Sequence, residues 1–425
     1  MINGKKVLLV LGAISAMNDI VKNAREKGYY AIVTDYYENS PAKKYADECW
    51  NISIDDVESI VKKAKERGVD GVMNYCIDPG QKSYQQICEK LGLPCVAGFE
   101  QFDIMTNKDR FTQCCKDFGV GFIPEYDISE TYDEVEWENI EYPVIVKPVD
   151  GRASKGISLC TRKEDMADAI KYALDNSKRK KIKVEKYLNC PEICVKYVVC
   201  DGKFYLTTMA DVYKCYKPDG TKVYLGTQTY PSKYVDEYLK TTHENVLNML
   251  KSIGIKNGAT SMTGFYDNGT FRFFDPSLRM GGAQDWCIAN AASGVDISDC
   301  LTDFAMTGSM GKQEDIEKID MAIAKKPSAL LYFDIGVGTI GSFDGIQEAA
   351  KIPNVKGYHV CHYIGDTIKG YGTSDNVAIR FIVSCNTTEE LVDTIEKVQK
   401  VIKIADTEGN NMIISPFEAR KNLLV

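Results

Sequence analysis

Residues 142–158 combine a short β-rich run, a lysine and a loop that contains glycines. The run at residues 144–146 delivers Lys147, and the loop that follows carries Gly151, Ser154 and Gly156. A strand end fixes the position of the lysine charge, and glycines let backbone N–H groups approach an anion without interference from a Cβ atom. This segment therefore predicts a phosphate-binding site.

A second lysine, Lys108, stands at a predicted helix start within the sequence TNKDRF. Its charge would add to the dipole at the N-terminus of that helix in holding a phosphate. Lysines at helix starts are common and usually solvated, so Lys108 indicates a phosphate site only in combination with Lys147.

Two glutamates flank a stretch that could receive a nucleoside. Residues 184–192 read VEKYLNCPE, so that Tyr187 and Leu188 lie between Glu185 and Glu192. An extended backbone here could pair with the edge of an adenine, and a carboxylate beyond it could accept hydrogen bonds from both ribose hydroxyls. The alternative is an ordinary strand end with surface glutamates.

An acidic strand end and an arginine follow in residues 273–282, which read FFDPSLRMGG. Asp275 could hold Mg²⁺ against phosphates, because hard cations take oxygen ligands. Arg279 carries the planar fork that clamps a carboxylate or an acyl phosphate. A buried Asp–Arg pair that stabilises the turn is the alternative.

Length and charge limit what can surround these residues. A chain of 425 residues is expected to hold about two to four domains. The net charge of −8 argues against broad nucleic-acid binding. No apolar run approaches the roughly 20 residues that span a bilayer. Fifteen cysteines without metal-type spacing predict reduced thiols in a cytoplasmic protein.

The N-terminal part alternates strands and helices in βαβα order, which predicts a parallel sheet flanked by helices. Gly12 follows the first strand, but the chain continues as GAISAM and lacks the GxGxxG spacing of a dinucleotide site. We predict a doubly wound domain without an NAD site, whose strand ends could still shape a substrate pocket. A change of pattern after about residue 311 predicts a small α+β module.

In this order the pieces resemble the ATP-grasp superfamily, specifically its carboxylate–amine ligases of the L-amino-acid ligase and carbamoyl-phosphate-synthetase-like type. The resemblance covers essentially the whole chain and implies an α/β and α+β multidomain fold. It implies a Rossmann-like pre-ATP-grasp domain at residues 1–98 and a two-lobed ATP-grasp domain at 99–310, with a small ATP-lid lobe at about 112–187. A small α+β C-terminal cap would occupy residues 311–425.

The same resemblance implies the contacts with ATP. They fall on the phosphate lysines Lys108 and Lys147, the flexible loop with Gly151, Ser154 and Gly156, the adenine hinge with Glu185, Tyr187 and Leu188, and the ribose glutamate Glu192.

The EVNPRPGG motif of the family aligns without a gap on residues 275–282. Asp275 then takes the place of the metal-binding glutamate, and Ser277 takes that of the metal-binding asparagine. A further metal-contacting side chain usually lies about a dozen residues upstream, where this chain has Thr263. The resemblance thus implies that the protein binds ATP together with Mg²⁺ or Mn²⁺. It also implies that fewer side chains bind the metal than is usual in the family.

The activity that this resemblance implies is an ATP-dependent ligase. It would join a carboxylate to an amine through an acyl phosphate, release ADP and phosphate, and act on amino acids, with Lys147 and Arg279 as catalytic residues. A ligase that modifies a sugar or a nucleotide precursor is one alternative, and an ATP-binding protein with weakened catalysis, motivated by Ser277, is another. The expected partners are small carboxylates and amines, without nucleic acid or membrane, and a homodimer is a reasonable assembly.

Overall fold

The computed structural model describes residues 1–129, 132, 134–149, 156–216, 226–282, 284–319, 326–371 and 376–424. Within these residues the strands form four sheets. The strands are β1 (Val7–Leu11), β2 (Tyr30–Thr34), β3 (Glu48–Trp50), β4 (Gly71–Met73), β5 (Glu125–Tyr126), β6 (Val144–Pro148), β7 (Ser158–Cys160), β8 (Ile182–Lys186), β9 (Glu192–Cys200), β10 (Lys203–Val212), β11 (Gln228–Tyr230), β12 (Gly258–Asp267), β13 (Thr270–Ser277), β14 (Ser328–Asp334), β15 (Gly338–Asp344), β16 (Val355–Val360), β17 (Thr367–Ile368), β18 (Val377–Ser384) and β19 (Lys403–Asp406).

Helices connect and cover these sheets. They are α1 (Asn18–Glu26), α2 (Val57–Arg67), α3 (Gln81–Leu91), α4 (Phe99–Ile104), α5 (Lys108–Asp117), α6 (Met166–Asp175), α7 (Val235–Thr241), α8 (His243–Ile253), α9 (Trp286–Ser293), α10 (Ile297–Thr307), α11 (Gln313–Glu317), α12 (Ile346–Ala350), α13 (Thr388–Val401) and α14 (Ala419–Leu423). None of those described is both long and apolar enough to cross a membrane.

The N-terminal sheet has the strand order β3-β2-β1-β4, and every neighbouring pair is parallel. All five residues of β1 are fully buried, as expected of a parallel strand covered on both faces. Gly68 and Gly92 end α2 and α3 in the left-handed conformation that glycine adopts without strain. The predicted α/β architecture of this part is confirmed.

The largest sheet has the order β13-β12-β9-β10-β11-β14-β18-β16, and its pairs are antiparallel. β12 and β13 form a hairpin, and Asn268 and Gly269 at its turn take positive φ, as the sequence Asp-Asn-Gly between two strand-like runs predicts. Strands from the C-terminal part therefore extend the same sheet that carries residues 273–277. The mixed multidomain fold class is confirmed, while the boundary expected near residue 311 stays a prediction.

A smaller antiparallel sheet has the order β5-β8-β6-β7 and packs against α6. Its core contains buried apolar side chains from both the sheet and the helix. A three-stranded sheet, β17-β15-β19, lies in the C-terminal part. All fifteen cysteines carry free thiols.

The sequence periodicity of residues 235–253 predicts a single helix, but the structure has two, α7 and α8, because Thr242 adopts φ −131° and ψ −29° and breaks the helical path. The sequence pattern also predicts a strand over residues 222–229. The last two of these residues begin β11, and residues 222–225 lie outside the described residues.

Candidate active site

Lys147 lies near the end of β6 and is only 6% exposed. Its Nζ atom lies 2.5 Å from the Glu185 carboxylate. The β6–β8 register pairs Lys147 with Lys183, and Glu185 lies two residues along the same face of β8. Burial is the main cause that lowers the pKa of Lys147; the Glu185 carboxylate opposes this effect, and the nearby Lys108 adds to it. An additional anion here would favour the protonated amine.

Lys108 is the first residue of α5, as the sequence predicted. The preceding Asn107 caps the helix, since its side-chain oxygen accepts from the backbone N–H groups of Asp109 and Arg110. The charge of Lys108 acts on the pKa of both Lys147 and Asp275. Lys108 therefore lies between the small sheet and β13, where the predicted phosphate and metal contacts meet.

Lys183 is a third lysine of this region and was not predicted from the sequence. Its Nζ atom lies 2.7 Å from a carboxylate oxygen of Asp109 and 2.7 Å from one of Glu125. Burial lowers the pKa of Lys183, but these two carboxylates outweigh it and raise the pKa overall. The alternation of β8 places Lys183 on the same face as Glu185, which is the signal that could have revealed it.

The predicted adenine hinge leaves β8 at Lys186. The N–H group of Tyr187 donates to the carbonyl of Pro143 at 3.0 Å, and the Tyr187 side chain is 36% exposed. Leu188 follows and is half-buried. The hydrogen bond from Tyr187 thus connects the hinge to the chain segment that precedes Lys147.

Glu192, the predicted ribose ligand, is the first residue of β9. Its carboxylate lies 2.6 Å from Nζ of Lys214, and both side chains are largely buried. Burial raises the pKa of Tyr216, and the charges of Tyr187 and Glu192 raise it further. Glu192 and Tyr187 therefore both lie close enough to Tyr216 to affect its pKa, on the same side of the site.

The glycine loop is described only at its end. Gly156 has φ +80°, and a Cβ atom at this position would come within 2.8 Å of the Cβ atom of Asn176. A glycine is therefore required for the close approach of this loop to the end of α6. Gly151 and Ser154 lie outside the described residues.

Asp275 pairs with Thr263 across β12 and β13, which places two of the three predicted metal positions side by side. The Asp275 side chain keeps contact with solvent. Neighbouring protein atoms nevertheless displace part of its water, and this desolvation is the main cause that raises the pKa of Asp275; Lys108 lowers it, and Asp78 raises it further.

Arg279 is held by a carboxylate from the N-terminal sheet. Its Nε atom donates to Oδ1 of Asp78 at 2.5 Å, and a second guanidinium nitrogen reaches Oδ2 of the same side chain. The hydroxyl of Ser277 donates to the same Oδ1 at 3.3 Å. The structure therefore contains an Asp–Arg pair, but its aspartate comes from a distant part of the chain.

Asp78 begins a single 3-10 turn, Asp78–Gly80, that follows β4. Asp78 was not predicted from the sequence to belong to the site. Its position after β4 could have indicated a role in the site, because ligand-binding side chains collect beyond the carboxyl ends of parallel strands.

Lys196 and Asp285 form a further buried ion pair beside this arginine. Lys196 lies on β9, where the register aligns it with Ser261 and then with Ser277. Burial is the main cause that lowers the pKa of Lys196, and the charge of Arg279 lowers it further. This pair was not predicted from the sequence, although Lys196 shares one face of β9 with Glu192.

The residues present fit a hard divalent cation. A carboxylate at Asp275 and hydroxyls at Thr263 and Ser277 are oxygen ligands of the kind Mg²⁺ takes. The Ser277 hydroxyl donates to Asp78, and Asp275 is the anionic ligand of this set. Across the described ranges, no three His, Cys, Asp or Glu residues group to hold a metal, so phosphate oxygens would have to complete the coordination.

Comparisons with known proteins agree with this geometry. The family described as "D-ala D-ala ligase C-terminus" matches residues 123–251. A formate-dependent phosphoribosylglycinamide formyltransferase of Prochlorococcus marinus subsp. pastoris is 30% identical over 190 residues, which cover 43% of this chain and 48% of the relative. An uncharacterized protein of Sinorhizobium fredii is 25% identical over 340 residues, 78% of this chain and 66% of that protein. This chain thus spans about half the length of the first of these relatives.

Two solved structures share the fold over nearly the whole chain. The L-amino acid ligase from Bacillus licheniformis superposes with a TM-score of 0.76 at 17% identity, covering 95% of this chain and 99% of that one. The phosphoribosylglycinamide synthetase from Anaerococcus prevotii superposes with a TM-score of 0.74 at 19% identity, covering 95% of this chain and 100% of that one. Together with the family match over residues 123–251, these similarities show that the chain has the ATP-grasp fold.

Proposed function

We propose that this protein is an ATP-dependent ligase that joins a carboxylate to an amine and releases ADP and phosphate. The observation that carries the proposal is that Lys108, Lys147 and Asp275 come from three different elements and lie within electrostatic range of one another. Two lysines suit a polyphosphate, and the carboxylate suits the divalent cation that accompanies it.

The lysines would act as electrostatic stabilisers. Phosphoryl transfer requires little covalent chemistry from the protein, and positioned charges provide most of the catalysis. Lys147 is buried and has a lowered pKa, so the negative charge of a phosphate would favour its protonated form. A Mg²⁺ ion at Asp275, when bound, would neutralise phosphate charge and help to align the phosphates.

Arg279 would orient the donor carboxylate. Its fork is already paired with two carboxylate oxygens of Asp78, which is the geometry that a substrate carboxylate requires. A donor could displace Asp78 or share the guanidinium with it. Attack of the carboxylate on the γ-phosphate would give an acyl phosphate and ADP, and attack of the amine on that carbonyl would then expel phosphate.

Amino acids are the substrates that we favour, and the shared fold of the Bacillus licheniformis L-amino acid ligase supports this choice. A second candidate is a nucleotide or sugar precursor that carries an amine or a carboxylate. The name of the Prochlorococcus relative, a phosphoribosylglycinamide formyltransferase, supports that alternative.

An assay of ADP release separates these candidates. The full-length protein, ATP and Mg²⁺ would be incubated with amino acids singly and in pairs, with formate, and with phosphorylated amines. We expect ADP release that depends on a carboxylate, and the mass of the product would identify the amine. ATP binding without ADP release across this panel would contradict the ligase and favour an ATP-binding protein with weakened catalysis.

Asp275→Asn is expected to raise the Mg²⁺ concentration needed for half-maximal ADP release by about 10- to 100-fold. The change removes the principal anionic ligand and keeps the side-chain size. A metal titration at saturating ATP measures the effect. The matched control is Asp236→Asn on α7, an exposed position. Equal metal dependence in both variants would remove Asp275 from the metal site.

A further inference from the structure

Cys88 and Cys95 lie side by side where the chain turns back after α3. The helix ends in a glycine of left-handed conformation, and the N–H group of Leu93 then donates to the carbonyl of Cys88 at 3.0 Å. Further on, the N–H group of Val96 donates to the Tyr84 hydroxyl at 3.4 Å. Because Tyr84 lies one turn before Cys88, the chain runs back along the helix and brings Cys95 against it. We call Cys88 and Cys95 the thiol pair.

The two sulfur atoms of the thiol pair are in contact. Their side chains share a hydrogen bond, which is the largest cause that raises the pKa of the Cys88 thiol and lowers the pKa of the Cys95 thiol. Burial raises the pKa of Cys88 further and opposes the lowering at Cys95. Cys88 therefore keeps its proton and donates it to the Cys95 sulfur, so the thiolate forms more readily at Cys95.

The two members of the thiol pair differ in their access to solvent. Cys88 is fully buried in the apolar core, whereas Cys95 packs at the edge of that core and is half-buried. The Cys95 thiol also reaches the carbonyl of Ala97 at 3.1 Å. A small oxidant from solution thus meets Cys95 first, with Cys88 directly behind it.

The backbone around Cys95 can supply the movement that a covalent bond requires. The sulfur atoms of a disulfide are about 2 Å apart, closer than two thiols in a hydrogen bond. Residues 93–98, between α3 and α4, belong to no helix or strand. Cys95 can therefore approach Cys88 without disrupting a helix or a sheet.

We propose that the thiol pair is a site of reversible disulfide formation, with hydrogen peroxide or another hydroperoxide as the oxidant. The Cys95 thiolate attacks one peroxide oxygen, the O–O bond breaks, and the second oxygen takes up a proton and leaves as water. The Cys88 sulfur then attacks the sulfenic acid at Cys95, the S–S bond forms, and the hydroxyl leaves with the Cys88 proton as a second water. Two thiols lose two electrons, and one peroxide is reduced to two waters. This inference does not depend on the proposed ligase activity.

Peptide mapping of the full-length protein tests the proposal. The folded protein is treated with hydrogen peroxide, the remaining thiols are alkylated in denaturant, and the protein is digested with trypsin. Cleavage after Lys90 separates the thiol pair, because Cys88 falls on residues 83–90 and Cys95 on residues 91–108. We expect these two peptides to be joined in about 10-fold higher yield than any other pair of cysteine peptides, and dithiothreitol should separate them.

Cys114 and Cys115 provide an internal control in the same digest. They are adjacent on α5, and neighbouring residues of a helix do not face each other. Both should be recovered as alkylated thiols on the peptide of residues 111–116.

Single variants test the order of the two steps. Cys88→Ala removes the second thiol, so the sulfenic acid at Cys95 should accumulate, and its labelling by dimedone should rise about 10-fold above that of the wild type. Cys95→Ala should leave Cys88 reduced, because Cys88 is buried. Cys49→Ser, at an exposed cysteine, should leave the yield of the joined peptides unchanged.

Two results would overturn this inference. One is a wild-type protein in which peroxide oxidises Cys49 while residues 83–90 and 91–108 are recovered only as separate alkylated peptides. The other is dimedone labelling of Cys88 rather than Cys95 in the respective single variants. The mapping of the wild type decides the first point even where a variant fails to fold.

Discussion

Lys147→Met is expected to lower ADP release by about 100- to 1000-fold, the usual cost of removing one charge stabiliser from a phosphoryl or acyl transition state. The lysine lies at a strand end in a buried position, so water cannot replace its charge easily. Lys171→Met provides the control, since Lys171 lies on α6 of the same lobe with 77% of its side chain exposed. ADP release under saturating ATP is the measurement.

The same substitution leaves the buried Glu185 carboxylate without its lysine. Removal of one partner from a buried pair commonly costs about 3 to 5 kcal/mol of stability. We therefore expect Lys147→Met to unfold at lower urea concentration, and the double variant Lys147→Met, Glu185→Gln to recover most of that loss. ADP release should stay low in the double variant. Recovered activity would show that Lys147 is needed only to neutralise Glu185.

Asp334→Asn is expected to stabilise the protein increasingly as the pH rises from about 4 to 7. Asp334 ends β14, is 3% exposed, and has a carboxylate oxygen without a hydrogen-bond partner. Burial raises the pKa of Asp334 to about 7, although Arg380 opposes this effect. The folded state therefore keeps a proton that the unfolded chain releases near pH 4, so ionisation removes stability across this interval.

The size of this stabilisation follows from the difference between the pKa of Asp334 in the folded and in the unfolded state. A shift of about three pH units corresponds to about 4 kcal/mol in the free energy of unfolding, reached near pH 7 and constant above it. Urea denaturation of both proteins at several pH values measures the difference. Asp55→Asn, at an exposed loop position, should follow the wild-type curve. A constant difference between Asp334→Asn and wild type from pH 4 to 8 would contradict the assignment.

The sequence by itself determined the elements that depend on local patterns. The parallel N-terminal sheet follows from apolar runs that alternate with helices ended by Gly68 and Gly92. Lys108 at a helix start and Lys147 at a strand end were assigned correctly to those elements, because capping and strand patterns are local. The family resemblance was likewise carried by short segments whose residues are close in the chain.

The tertiary structure alone decided which charges meet. Asp78 and Arg279 are 201 residues apart in the chain, and their ion pair forms only because the edge of the N-terminal sheet faces β13. Lys183 is held by Asp109 and Glu125, and Arg380 of β18 donates to the carbonyl of Gly282, 98 residues earlier in the chain. Sequence spacing carries no information about such pairs, since burial and electrostatic coupling depend on distances that folding sets.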